Sequence, residues 1–397
     1  MTTATDTPVY RVDLYSDEAL ADPHAHYRAL RELGPVVWLA QHHVYAIPRY
    51  AEVRAVLADD STYLSSNAIA LNDVVNTAMQ GGTIASDGEL HAQFRHIVAH
   101  RLTPRALRPI QQSVQQRTEA LASHVAELRA FDAVTDLAQA LPLSVVPEFV
   151  GLPPDARGQM LKWASANFDS LGPLNERGLA SLPGCVEMAE YAARTAASGN
   201  VVPGTLADGV VQAARRGEIT EQQSVRLMLA YIAPSLDTTI SAIGCAVWLF
   251  ARHDDQWQKL RADPTLIPAA ISEILRYETP IRALGRRAAR PVEFGGVRLD
   301  TDDRLLLLYA SANRDERQWD RPDEFDITRD STRQLGFGYG VHGCPGQGLA
   351  RIEIESLLTA LARRVRRFVL TDEPTWTVNN AIRAFDSIPV RVELDGD

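Results

Sequence analysis

From Thr220 to about His253 the chain carries helical apolar periodicity with little interruption. It opens on Thr220-Glu221-Gln222-Gln223, a T-x-x-Q pattern in which the first and fourth side chains cap a helix start reciprocally. A helix of that length is unusual in a globular protein. Through AIGCAVWLFA (Ala242 to Ala251) it is apolar on every side, so it must pass through the centre of the molecule with other elements wrapped around it. With 397 residues and 46% apolar content the chain can bury a core of that kind. The apolar run itself is short against the roughly 20 residues a bilayer requires, and the opening MTTATDTPVY has no basic segment followed by an apolar one. Neither membrane insertion nor secretion is expected. The net charge of −10 is spread through interspersed acids and bases, which excludes the basic footprint of a nucleic-acid binder. Cys185, Cys245 and Cys344 are too few and too scattered for a disulfide framework or a CxxC zinc site, so a reduced, cytoplasmic setting is expected.

Around this helix the pattern predicts a helix over Pro23 to Leu33, a hairpin in VVWLAQHHVYAIPRY (36–50) and a helix over Ala51 to Ala58. Strands are predicted in RPVEFGGVRL and DRLLLLYASAN, and a second buried helix over Leu349 to Val365. The fold class is therefore mainly α with small β-sheets. No repeat, low-complexity linker or domain boundary interrupts it, so residues 1–397 are read as one domain.

Between the last strands and the last helix lies GFGYGVHGCPGQG (336–348), six glycines around one thiol. Glycine serves where backbone must turn sharply or approach another surface closely. Three further constellations stand out. PSLDTT places Asp237 and Thr238 just after Pro234, which deletes a backbone hydrogen bond and kinks a helix. In ISEILRYETP, Glu273 and Arg276 share a helix face. In HAQFR, His91 and Arg95 present two donors on one face, suited to an anionic ligand edge. Each of the last three, alone, is an ordinary helix-surface pattern.

Taken in order, the D-T-T, the E-x-x-R and the loop Phe337, Gly340, Cys344, Gly346 resemble the cytochrome P450 family, and the resemblance extends from DPHAHYRALRELGPV to NRDERQWDRPDEFDITR. It implies haem b (iron protoporphyrin IX) held between the long central helix and the cysteine loop, with Cys344 as axial metal ligand and Phe337 against the ring. It implies that His91, Arg95, Arg286 and His342 hold the propionates, and that Gly346 and its neighbours let the loop's amides turn toward the sulfur. Glu273 and Arg276 become a structural pair, completed by Arg329 or Arg321, with Arg329 favoured. Asp237 and Thr238 become the acid and alcohol of proton delivery. The usual Ala-Gly before that acid is here Pro234-Ser235.

The implied activity is monooxygenation, one atom of O2 entering a small organic substrate, with electrons from a ferredoxin and its reductase. A monomer is expected. The likeness is strongest to soluble bacterial members that oxidise para-substituted aromatic acids, seen in VYAIPRYAEVRAVL, SLDTT and NNAIRAFDSIPV. Those relatives anchor a carboxylate with arginine and serine; here no arginine lies between Ser66 and His91, and Leu229, Ala230 and Ala233 offer no side-chain donor. A phenol or neutral aromatic, hydroxylated or O-demethylated, is therefore expected, with Arg282 as a different candidate anchor. The alternatives are tailoring of a larger terpenoid or polyketide and, beyond enzymes, a haem-binding sensor. The Asp237-Thr238 pair argues against the sensor, which needs no proton delivery.

Overall fold

The computed structural model describes residues 7–153, 156 and 158–396. The N-terminal residues 1–6, part of the stretch read above for a leader, lie outside it. The capping box forms as the sequence predicts: Thr220 Oγ1 accepts from Gln223 N–H at 3.2 Å and Gln223 Oε1 accepts from Thr220 N–H at 2.8 Å. The helix it starts does not run unbroken to His253. It ends at Ile232 and resumes as Asp237–Arg252, the core helix below. Pro234 has no N–H, so the ladder opens over Ala233 to Leu236. Hydroxyls fill part of the gap: Thr238 Oγ1 donates to the Pro234 carbonyl at 3.0 Å and Ser235 Oγ to that of Ile232 at 3.4 Å. Glu221–Arg252 taken together is long and apolar enough to cross a membrane by composition, yet 72% of its most apolar window is buried inside the protein.

The core helix is enclosed by Gln347–Ala362, Ile267–Tyr277, Met160–Ser170 and the strand Val365–Leu370. Cys245, Phe250 and Leu249 on it are fully buried. The largest sheet is six-stranded, in the spatial order Val9–Tyr10, Val37–Leu39, Val44–Ile47, Arg304–Leu307, Leu284–Ala288, Tyr63–Leu64. Its hairpin Val37–Leu39/Val44–Ile47 pairs Val37 with Ala46 and Leu39 with Val44, which turns Val37, Leu39, Val44 and Ala46 inward together. The helices His24–Leu33 and Tyr50–Ala58 flank that hairpin in sequence, as the periodicity predicts. A three-stranded sheet joins Val365–Leu370, Pro389–Leu394 and Ala130–Asp132, and Val292–Phe294 pairs with Val297–Leu299. The strand predicted in DRLLLLYASAN stops at Leu307; Tyr309–Ala312 is a helical turn, and Ala312 N–H donates back to the Leu308 carbonyl.

Candidate active site

The cysteine loop is a tight ribbon. Cys344 N–H donates to the Phe337 carbonyl at 2.8 Å, and the chain between them passes through Gly338 at φ 68° and Gly340 at φ 71°, left-handed conformations that suit glycine. A Cβ on Gly340 would lie 2.3 Å from the Leu57 carbonyl oxygen, so this glycine also presses the loop against the helix Tyr50–Ala58. Gly346 precedes the helix Gln347–Ala362, and the N–H groups of Gly346 and Gln347 turn toward the Cys344 sulfur. Burial pushes that thiol up; the Gly346 and Gln347 amides and the Arg95 guanidinium act the other way. Phe337 is partly buried against the core, with the Arg351 guanidinium 5.1 Å from its ring centre.

Three segments, the loop among them, bring four donors together here. His91 and Arg95 come from the helix Gly88–Ala99, His342 from the loop itself and Arg286 from the strand Leu284–Ala288. The His91 and His342 rings lie 4.0 Å apart, and the Nε2 of each is buried without a hydrogen-bond partner. Burial, Arg286 and His91 depress His342 to about 3; burial and Arg95 lower His91 as well. Both rings are therefore neutral at pH 7, and two buried arginine-flanked imidazoles have capacity to donate. Orphaned buried donors of this kind carry a free-energy penalty unless an acceptor meets them. A dianionic ligand edge would satisfy the whole set. Asp87, not singled out from sequence, sets the approach: its carboxylate accepts from Ser65 N–H at 2.8 Å and Ser66 N–H at 3.0 Å and lies 4.0 Å from His342 Nε2.

Beside the loop, the E-x-x-R pair is fully buried and bidentate, Arg276 Nε to Glu273 Oε2 at 2.7 Å and Nη2 to Oε1 at 2.8 Å. Arg329 completes it, 3.3 Å from Glu273 Oε1, while Arg321 pairs with Glu324 on the surface. Ser331, which has no sequence signature, donates its hydroxyl to Glu273 Oε2. A second buried acid nearby, Glu353 on Gln347–Ala362, has no such partners; burial alone pushes it up to about 8.

Asp237 opens the core helix at the Pro234 break. An acid in a first turn normally gains from the helix dipole. Here burial, followed by the charge of Asp169, outweighs it and raises the carboxyl to about 7. Ile69, Ala85, Phe168, Leu171 and Ile382 form a buried apolar cluster, with Phe168 and Leu171 flanking Asp169 in sequence. Arg282 does not serve as an anchor there: it is buried with its guanidinium donating to the carbonyls of Leu20 (3.0 Å), Ile382 (2.8 Å) and Asn379. That is a brace between chain segments, which a lone arginine after a helix does not announce.

A family model described as Cytochrome P450 matches residues 249–385. "Cytochrome p450 CYP199A2" of Rhodopseudomonas palustris is 34% identical over 97% of this chain and 94% of its own length. The chain belongs to the cytochrome P450 family. The 6-deoxyerythronolide B hydroxylase of Saccharopolyspora erythraea is 30% identical over 97% of this P450 and 99% of its own length. Among solved structures, cytochrome P450 CREJ in complex with (4-ethylphenyl) dihydrogen phosphate superposes with a TM-score of 0.86 at 26% identity, covering 94% of this P450 and 98% of that chain. CalO2 superposes with a TM-score of 0.84 at 28% identity over 97% and 100%. This P450 is thus a haem-binding monooxygenase, an oxidoreductase, with the family's mainly helical fold. The residues present fit the group the family binds: a thiol approached by the Gly346 and Gln347 amides, and beside it two unpaired imidazole nitrogens flanked by Arg95 and Arg286 for its carboxylates.

Proposed function

We propose that this P450 inserts one atom of O2 into a small, neutral or phenolic aromatic substrate, by hydroxylation or O-demethylation, with residues 1–397 acting as one catalytic domain. The balance is substrate C–H plus O2, two electrons and two protons giving C–OH and water. Cys344 would hold haem b through its sulfur, and the bound group would supply the oxygen-activating chemistry. His91, Arg95, Arg286 and His342 hold the propionates, Phe337 packs on the ring, and Gly346 leaves its amide free for the sulfur. The carrying observation is the pair of buried, unpartnered imidazole nitrogens of His91 and His342 beside Arg95 and Arg286, within reach of the Cys344 loop.

Asp237 and Thr238 deliver protons. A carboxyl near 7 is matched to giving and regaining a proton at neutral pH. The Thr238 hydroxyl, now turned to the Pro234 carbonyl, is positioned beside it at the helix break. Electrons are taken to come from a ferredoxin and its reductase, with the protein a monomer in the cytoplasm, a reading supported by the bacterial P450s it is similar to.

The substrate class follows from charge. An ionised carboxylate buried without paired donors loses several kcal/mol, which at about 1.4 kcal/mol per tenfold removes useful affinity. Arg282 is committed to backbone carbonyls, which supports a substrate without that charge. The aryl ligand of CREJ supports a para-alkyl aromatic as the size class. The likeness to 6-deoxyerythronolide B hydroxylase supports the second reading, tailoring of a larger terpenoid or polyketide. Matched spectral titrations decide: para-methoxy or para-alkyl phenols are expected to shift the haem to high spin at lower concentration than the corresponding benzoates. Tighter benzoate binding overturns the assignment, and indifference to both favours the larger substrates.

A further inference from the structure

Asp237 has a neighbour that no motif marks. The helix Met160–Ser170 packs against the core helix, and near its C-terminus Asp169 is the acid whose charge acts on Asp237. Asp169 is fixed in place. Its Oδ1 accepts the Asn380 N–H at 2.8 Å, and its backbone carbonyl accepts Asn380 Nδ2 at 2.9 Å. Asn380 Oδ1 in turn accepts from Asn175 Nδ2 at 3.1 Å and Arg177 Nη2 at 3.3 Å. Arg177 also donates to the Tyr15 carbonyl at 2.7 Å and pairs with Asp17, whose side chain is 77% exposed. The acid thus stands at the inner end of a polar line that begins at the surface.

We propose that Asp169 is a positioning residue for proton delivery, its carboxylate anchored by the Asn380 amide so that the proton of the pair resides on Asp237. The inference rests on Asp237 being the delivering acid. Within such a pair the protons belong to both groups jointly, and the better-solvated or better-paired member ionises first. The surroundings are unequal. Burial raises Asp169 as it does Asp237, but Asp169 is also faced by the Asn380 amide, by Arg177 from the helix Glu176–Ser198 and by Arg282 from the segment after Ile267–Tyr277, each favouring its charged form, with Cys185 as a further titratable neighbour. Asp237 has burial and Asp169 against its charged form and no cation for it. The carboxylate therefore stays on Asp169 and the exchangeable proton on Asp237, at the open helix turn beside Thr238.

Infrared titration of the haem-loaded protein tests this without turnover. The protonated-carboxyl C=O stretch of Asp237 is identified as the band lost in Asp237→Asn. In Asp169→Asn, which keeps an oxygen for the Asn380 amide while deleting the charge, its midpoint is expected to fall by roughly one pH unit. Asp169→Ser provides a second charge deletion should the first misfold, and Asp169→Glu is expected to restore the midpoint. An unmoved midpoint in a folded charge-deletion variant overturns the proposal. The pH profile of kcat, run in parallel, is expected to move its alkaline limb in the same direction. A shifted infrared midpoint with an unmoved kcat profile upholds the pairing and instead removes Asp237 from the role assigned to it above.

Discussion

Glu273, fully buried beside the start of the Cys344 loop, and Asp237, half-buried at the break in the core helix, are acids treated in opposite ways. Glu273 receives five donors: two from Arg276, one each from Arg329 and Ser331, and the Asp326 amide. Asp237 receives the field of another acid. Full pairing locks a charge and removes it from chemistry, because any change of protonation would break several contacts at once. An unpaired, half-buried carboxyl beside another acid keeps a proton that it can release near neutrality. One side of the site is built to hold still and the other to exchange.

The largest effect that would sharpen this contrast is on the thiolate side. Cys344→Ala and Cys344→His are expected to abolish the strongly red-shifted Soret band of the carbon monoxide complex of the reduced protein. A haem-loaded Cys344→Ala protein that retains the band breaks the assignment, since Cys185 and Cys245 sit in helices, in no comparable loop. Next in size, Glu273→Ala leaves the buried guanidinium of Arg276 uncompensated and is expected to cost about 3–5 kcal/mol in denaturant unfolding, with loss of haem from the purified protein. If it costs no more than a surface ion pair, the locked half of the comparison is wrong. The smallest effect on folding, and the most specific to chemistry, belongs to Thr238→Ala. Substrate binding by spin shift should persist while electrons are diverted from product to hydrogen peroxide, read as peroxide formed per electron pair consumed. Unchanged coupling would assign the role to the Ser235 hydroxyl three residues earlier, which Ser235→Ala/Thr238→Ala together would then expose.

How much of this is legible in the sequence follows the same division. The cysteine loop and the E-x-x-R pair with Arg329 are short patterns, and the structure forms both; His91, Arg95, Arg286 and His342 lie in separate segments joined in the sequence only by the family resemblance, and the structure sets them beside one another. The capping box at Thr220 is likewise a short-range device and forms as written. The helix break is less legible. Periodicity continues through Pro234 and suggests a kinked but continuous helix; the structure instead opens the ladder over four residues, with the Ser235 and Thr238 hydroxyls meeting carbonyls left free there. Arg282 and Asp169 are not legible at all. The first reaches the Leu20 carbonyl and the second the Asn380 amide, contacts between segments far apart in the chain that depend on tertiary packing alone.

The 4.0 Å contact between the His91 and His342 rings also fixes when this site can come into being. His91 leaves the ribosome long before Cys344 is made. At roughly 5–20 residues per second, the stretch between them takes on the order of tens of seconds to synthesise. During that interval the early helix holds one half of a donor cluster with nothing to complete it. The ribosome-bound chain has no Cys344 thiol to offer until the loop emerges, and Gln347–Ala362, which closes on the core helix, follows later still. Cofactor capture is thereby tied to the end of translation, and a chain truncated before Gly336 carries His91, Arg95 and Arg286 but can never bind as the finished protein does.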